Sequence, residues 1–234
     1  MTAELMALRM TAKIKSPAEP AVYEGQFGPF TIDASDRQEV IQYRAGLAIA
    51  ASSFALGTAG ILWRGDVDWV VQGISALYTV FWLALGYSLL KIHIYLRPLH
   101  RLLQAFWLIG GVASLAIAHF SPEPFAQTVF DYPATIWGIG FTFAALTGIY
   151  FKEAFCFNRI ETKVMTPLVP LLLLGHLFQF LSPEWEALLL AIWAANFVLF
   201  ALRKSVQPCP DDIGDKSVFA YLEQQRQQPT TSAS

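Results

Sequence analysis

The 234-residue sequence predicts an all-α polytopic membrane protein with six transmembrane helices. Three observations carry that prediction. Only 15% of residues are charged, against roughly 25% in a soluble domain, while 55% are hydrophobic. The shortage of charge is concentrated in long uncharged runs, and a span needs about 20 apolar residues to cross about 30 Å of hydrocarbon. Lys and Arg also fall almost wholly between alternate pairs of runs.

The chain divides into residues 1–21, 22–44, 45–203 and 204–234. The first segment lacks the apolar core of a signal peptide, and Lys13 and Lys15 interrupt it. It reads as a flexible tail, with insertion through the first true span. In 22–44, Gly25 and Gly28 flank Phe27, and the chain extends through Pro29-Phe30. The aromatic residues here read as interfacial anchors or as a docking segment. Ser35 resembles a helix N-cap with Gln38 three residues on, and Asp36 and Glu39 favour a first turn. The predicted helix runs from Asp36 into the first span, with Arg37 and Arg44 at head-group level.

Six spans follow: Ala45–Trp63, Trp69–Leu90, Leu102–Phe120, Ala134–Phe151, Val164–Leu181 and Ala187–Leu202. The loops "RGDVD" and "SPEWE" are short enough to force antiparallel neighbours. The longer "SPEPFAQTVFDYP" reads as an interfacial segment anchored by Phe125, Phe130 and Tyr132. Ser-Pro-Glu at 121–123 and 182–184 is expected to close a span each time, since a proline disfavours helix in the residue before it. In 204–234, a short helix is predicted over 215–228 with Val218, Phe219 and Leu222 on one side, followed by a disordered "PTTSAS".

With the N-terminus inside, 15 Lys and Arg lie on the inner side, and only Arg64 lies outside. The outer loops are acidic, holding Asp66, Asp68, Glu123, Asp131, Glu184 and Glu186. The positive-inside rule then puts both termini in the cytoplasm.

Two stretches invite chemistry. In "FKEAFCFNRIETK" (151–163), a helix continuing past the membrane would put Lys152, Cys156, Arg159 and Lys163 on one face. A thiol among cations acquires nucleophilic character, but no histidine lies nearby in sequence. The alternative is head-group or partner contact by Lys152, Arg159 and Lys163, with Arg37 and Arg44, and with Glu153 and Glu161 pairing to neighbouring bases. In "MTPLVPLLLLGHLFQF" (165–180), Thr166-Pro167 reads as a fresh helix start. His176 then sits inside the membrane, where an imidazole needs a partner. Gln179 or Asn196 would supply one across helices. Gly175 beside it leaves room for a flat ring, so His176 is also a candidate axial ligand of chlorophyll or haem. His119 is offset from it, and His93 and His100 lie on the inner side. No metal-site, phosphate-loop or protease motif occurs, and no metal or nucleic-acid partner is expected. The span interiors lack the acids that a proton-coupled carrier uses.

"VYEGQFGPFTIDASDRQEVIQYRAGLA", "YFKEAFCFNRIETK" and "TPLVPLLLLGHL" together resemble an uncharacterised six-helix integral-membrane family found mainly in cyanobacteria. The resemblance covers roughly 22–203 and lends no catalytic residue. It implies a thylakoid setting, with the basic face in the cytoplasm and proteins of photosynthetic complexes as partners. The resulting expectation is a non-enzymatic scaffold or assembly factor, with photosystem II biogenesis as its process. A small-solute transporter or channel and a pigment-binding protein are the alternatives.

Overall fold

Six helices of the computed structural model are long and apolar enough to cross a membrane. The structure describes residues 21–65 and 67–227; the predicted tail over 1–20 and the "PTTSAS" end lie outside the described residues. In chain order the spans are α1 (Ala34–Arg64), α2 (Asp68–Lys91), α3 (Arg97–Phe120), α5 (Ile136–Phe157), α6 (Ile160–Leu177) and α7 (Pro183–Ser205). A short helix α4 (Phe125–Asp131) and a 3-10 turn (Pro133–Thr135) precede α5. After α7 come α8 (Cys209–Ile213) and α9 (Ser217–Gln227), and the strands β1 (Val22–Gly25) and β2 (Gly28–Thr31) precede α1. Even α6, the shortest span at 18 residues, is about 27 Å long.

The described residues form two compact units, one of 21–36 plus 215–227, the other within Arg37–Gly214. In the first, β1 and β2 form an antiparallel hairpin with Tyr23 opposite Phe30 and Gly25 opposite Gly28. Gln26 and Phe27 make the two-residue loop, and Gly28 takes a φ of 135°, which a side chain would resist. No strand is expected from the sequence, because the loop pair Gln26-Phe27 is not one of the usual two-residue hairpin turns. Asp215 Oδ2 accepts the Gln26 N–H at 2.6 Å, and Phe27 stacks on Tyr221 with centroids 4.1 Å apart. The true cap of α1 is Asp33, not Ser35. Asp33 Oδ1 accepts the Asp36 N–H at 2.9 Å while Asp36 Oδ2 accepts the Asp33 N–H at 3.0 Å, a reciprocal box.

In the second unit, consecutive spans pack antiparallel. Ser88 near the end of α2 donates to the Tyr43 carbonyl near the start of α1, at 3.1 Å. The α2–α3 contact is built on a repeated Trp-x-x-x-Gly. Trp82 Nε1 donates to the Trp107 carbonyl at 3.0 Å, Trp107 Nε1 donates to that of Trp82 at 2.8 Å, and the rings stack 4.3 Å apart. Each ring lies over the other helix's glycine: a Cβ on Gly86 or Gly111 would come within 2.3 Å or 2.2 Å of it. The core fills the space between α1, α2, α5, α6 and α7 with Leu47, Phe81, Leu146, Val169, Trp193 and Phe197. Leu83, Leu108, Val112, Leu115 and Leu202 are exposed instead, the apolar coat that a bilayer requires.

Four local expectations change. Asn158 adopts a left-handed conformation (φ 53°) and ends α5, so Arg159 and Lys163 do not continue the face of Lys152 and Cys156. Asn tolerates that conformation because its short amide bonds locally. Next, α6 begins at Ile160, not at Thr166, and carries Pro167 and Pro170 inside it. The second Ser-Pro-Glu opens a span: Ser182 is the N-cap of α7 and Pro183 occupies its first turn, where no N–H is missed. Finally, Phe125 is buried rather than interfacial, packing with Ile136 and Ile139, while Phe130 and Tyr132 stay exposed.

Candidate functional site

The ends of the six-helix unit differ in chemistry. At the basic end, where α1 begins and α7 finishes, charges that read as surface groups are drawn inside. Glu153 is fully buried; its Oε2 accepts from Lys204 Nζ at 2.6 Å and its Oε1 from Lys152 Nζ at 3.0 Å and the Tyr43 hydroxyl at 3.2 Å. Lys204, also buried, pairs with Asp212 of α8 and lies 4.3 Å from the Phe157 ring centroid. Arg44 closes the group from α1, its Nε 2.7 Å from Asp212 Oδ2. A neighbouring pair joins Arg203 Nη1 to buried Glu161 Oε2 at 2.9 Å, while Arg159 donates to Gln207 at 3.1 Å. Three carboxylates thus meet five cations, linking α1, α5, α6, α7 and α8. Such a group stabilises little against an apolar alternative, but removing one partner strands a buried charge.

At the acidic end lies a cavity of about 340 Å³ between α1, α2, α5, α6 and α7, roofed by α4. Its wall is aromatic, including Phe54, Tyr78, Phe81, Phe143 and Trp193. Leu62 and Phe130 belong to the lining and are exposed, so the cavity opens at the surface. His176 stands at this end with both ring nitrogens engaged. Nδ1 is 3.1 Å and 3.2 Å from the two Glu186 oxygens, and Nε2 is 3.3 Å from the Val129 carbonyl. Both partners are acceptors, a carboxylate on one side of the ring and a backbone carbonyl on the other. The partners expected from sequence are otherwise occupied or turned away: Asn196 donates to the Ile192 carbonyl at 2.8 Å, and Gln179 takes a left-handed turn. Gly175 leaves no room for a flat ring, because Leu181 lies where its Cβ would be.

A family model described as uncharacterized integral membrane protein (DUF2301) matches residues 87–221. The chain belongs to this family. No curated protein and no solved structure matches it. The DUF2301 segment contains Glu153, Lys204 and Asp212 as well as Val129, His176 and Glu186, whereas Tyr43 and Arg44 precede it.

Of the residues expected to meet head groups or partners in this DUF2301 chain, Arg37 and Lys163 are exposed. Lys152, Arg159 and Arg44 are part-buried, and each bonds within the unit. Glu153 and Glu161 pair with neighbouring bases as expected, Glu153 with Lys152 and Lys204 and Glu161 with Arg159 and Arg203; the correction is that both carboxylates are buried within the unit and not presented to head groups or partners. Cys156 is exposed on α5. Sequence reasoning missed Lys204, Asp212 and Glu186. The signal was periodicity, since Leu146, Ile149 and Glu153 share one buried stripe of α5, and Trp193, Phe197, Phe200 and Lys204 another of α7. Ionisable residues on a core stripe are buried ones awaiting partners. Among the described residues, no cluster of three or more acids, histidines or cysteines is placed to hold a metal.

Proposed function

We propose that this integral membrane protein is a non-catalytic scaffold, an auxiliary or assembly factor for other membrane proteins of photosynthetic complexes. In this reading it resides in the thylakoid membrane with both termini cytoplasmic, and photosystem II biogenesis is the process it serves. The observation that carries it is the unit built from the chain's two end segments. The hairpin and α9 are held in register by Asp215 and Ser217, yet leave Val22, Phe27, Tyr221 and Leu222 exposed. Ordered apolar side chains outside the spans are what a partner protein buries. The buried charge group supports the same reading, because it spends its carboxylates on holding helices together. No stoichiometric pigment belongs to the reading: Nδ1 of His176 lies at Glu186 and Nε2 at Val129, so both ring nitrogens are engaged within the protein.

The test is co-purification from the native membrane in mild detergent, with an absorption spectrum of the product. The reading expects membrane-protein partners that are lost when Phe27 and Tyr221 are both changed to Ser, and no Soret band. A colourless, partner-free protein that carries solute across liposomes would replace it with a transporter. A pigment band abolished by His176→Leu would replace it with a pigment carrier.

A further inference from the structure

The cavity at the acidic end has the size, lining and unspent polar groups of a ligand site, independently of the scaffold reading. A dry apolar cavity of about 150 Å³ already accepts benzene, so about 340 Å³ takes a substituted ring with the first stretch of a tail. The wall carries aromatic rings on several helices, which suits a flat conjugated ring better than a flexible acyl chain. Two further observations point to oxygen on that ring. Ser53 and Thr58, each only 6% exposed, line the α1 wall, and their hydroxyls have no hydrogen-bond partner among the described residues. A hydroxyl that lines an apolar cavity without a protein partner is free to bond a ligand atom. On the α6 wall, His176 is oriented by both Glu186 oxygens, while its Nε2 bond to Val129 is long at 3.3 Å. That bond sits past the ordinary N–H···O range, so a ligand carbonyl displaces it at little cost.

We infer that this cavity binds a lipophilic quinone: a flat ring with a carbonyl oxygen at each end and an apolar tail. One carbonyl accepts from His176 Nε2 and the other from the Ser53 or Thr58 hydroxyl. The ring lies among Phe54, Phe81 and Phe143, and the tail leaves past Leu62 and Phe130 into lipid. Binding alone is inferred, and no electron transfer is part of it.

Trp193, 1% exposed, forms part of the wall and reports occupancy, because quinones quench indole emission on contact. The detergent-purified full chain is titrated with decyl-benzoquinone, with Trp193→Phe identifying the cavity component of the signal. The expected result is saturable, stoichiometric quenching that Trp193→Phe removes. Ala187→Phe, at the mouth, should abolish it. His176→Leu should weaken binding about tenfold, the size of one lost hydrogen bond. Ser53→Ala, which any helix accepts, should weaken binding severalfold and keeps the test valid if a larger variant misfolds. Quenching that rises linearly with quinone and is equal in the Ala187→Phe protein would overturn the inference. So would displacement of the probe by dodecanoic acid at equal concentration, which would make the cavity an acyl-chain site.

Discussion

At the scale of single residues, the charges at the basic end act through burial. Lys204 is enclosed by Glu153, Asp212 and the Phe157 ring, so Lys204→Met keeps the volume but leaves two buried carboxylates short of a cation. The expected loss is about 3–5 kcal/mol, read as a lower thermal midpoint of the detergent-purified protein. Cys156→Ser, by contrast, changes an exposed side chain on α5 and should leave abundance and midpoint unchanged. Outside the spans, hydrogen bonds from the Ser217 side chain and the Gln26 amide hold the Asp215 carboxyl below its ordinary range. A lowered carboxyl stabilises the fold above the unfolded value of about 3.9 and loses that contribution as pH falls through the folded one. Protection of the Gln26 amide from exchange should therefore be full at neutral pH and fall away below about pH 4. The sequence made the cations legible but not their partners. An acid between a lysine and an alanine reads as solvated until its place on the Leu146–Ile149 stripe is counted.

At the scale of elements, the spans were legible because hydropathy over twenty residues is a strong local signal, and their ends were not. The α5–α6 break depends on one residue, Asn158, whose left-handed backbone has no hydrophobic signature. Asn158→Gly should be accepted, while Asn158→Val should cost roughly 1–2 kcal/mol, since left-handed geometry crowds a β-branched side chain. The α2–α3 clamp makes a sharper case. Gly111→Leu would drive a side chain into the Trp82 ring, and overpacking of that kind costs about 1–3 kcal/mol. The same substitution made together with Trp82→Ala should recover part of the loss in a double-mutant cycle. Pairing of this sort is long-range and appears in sequence only as a repeated Trp-x-x-x-Gly. The hairpin was missed because it is four residues a strand, too short for an alternating pattern to stand out.

At the scale of the whole molecule, six spans joined by short loops fix the alternation, and the family match agrees with an integral membrane protein. The bundle has a basic end closed by buried ion pairs and an acidic end that opens into an apolar cavity. Neither the closure nor the cavity was legible in the sequence, because each gathers residues from several helices far apart in the chain. Every functional reading depends on which end faces which compartment, and the proposed orientation, with the basic end in the cytoplasm, is the one that the positive-inside rule predicts. Labelling with a membrane-impermeant maleimide tests this most directly, using single cysteines placed at Ser121, Ser182 or Ser205 after Cys156 and Cys209 are replaced by Ser. In sealed, correctly oriented vesicles, the account predicts labelling of Ser121→Cys and Ser182→Cys from the lumenal or periplasmic side and none of Ser205→Cys. Labelling of Ser205→Cys from that side, with Ser121→Cys protected, would contradict it.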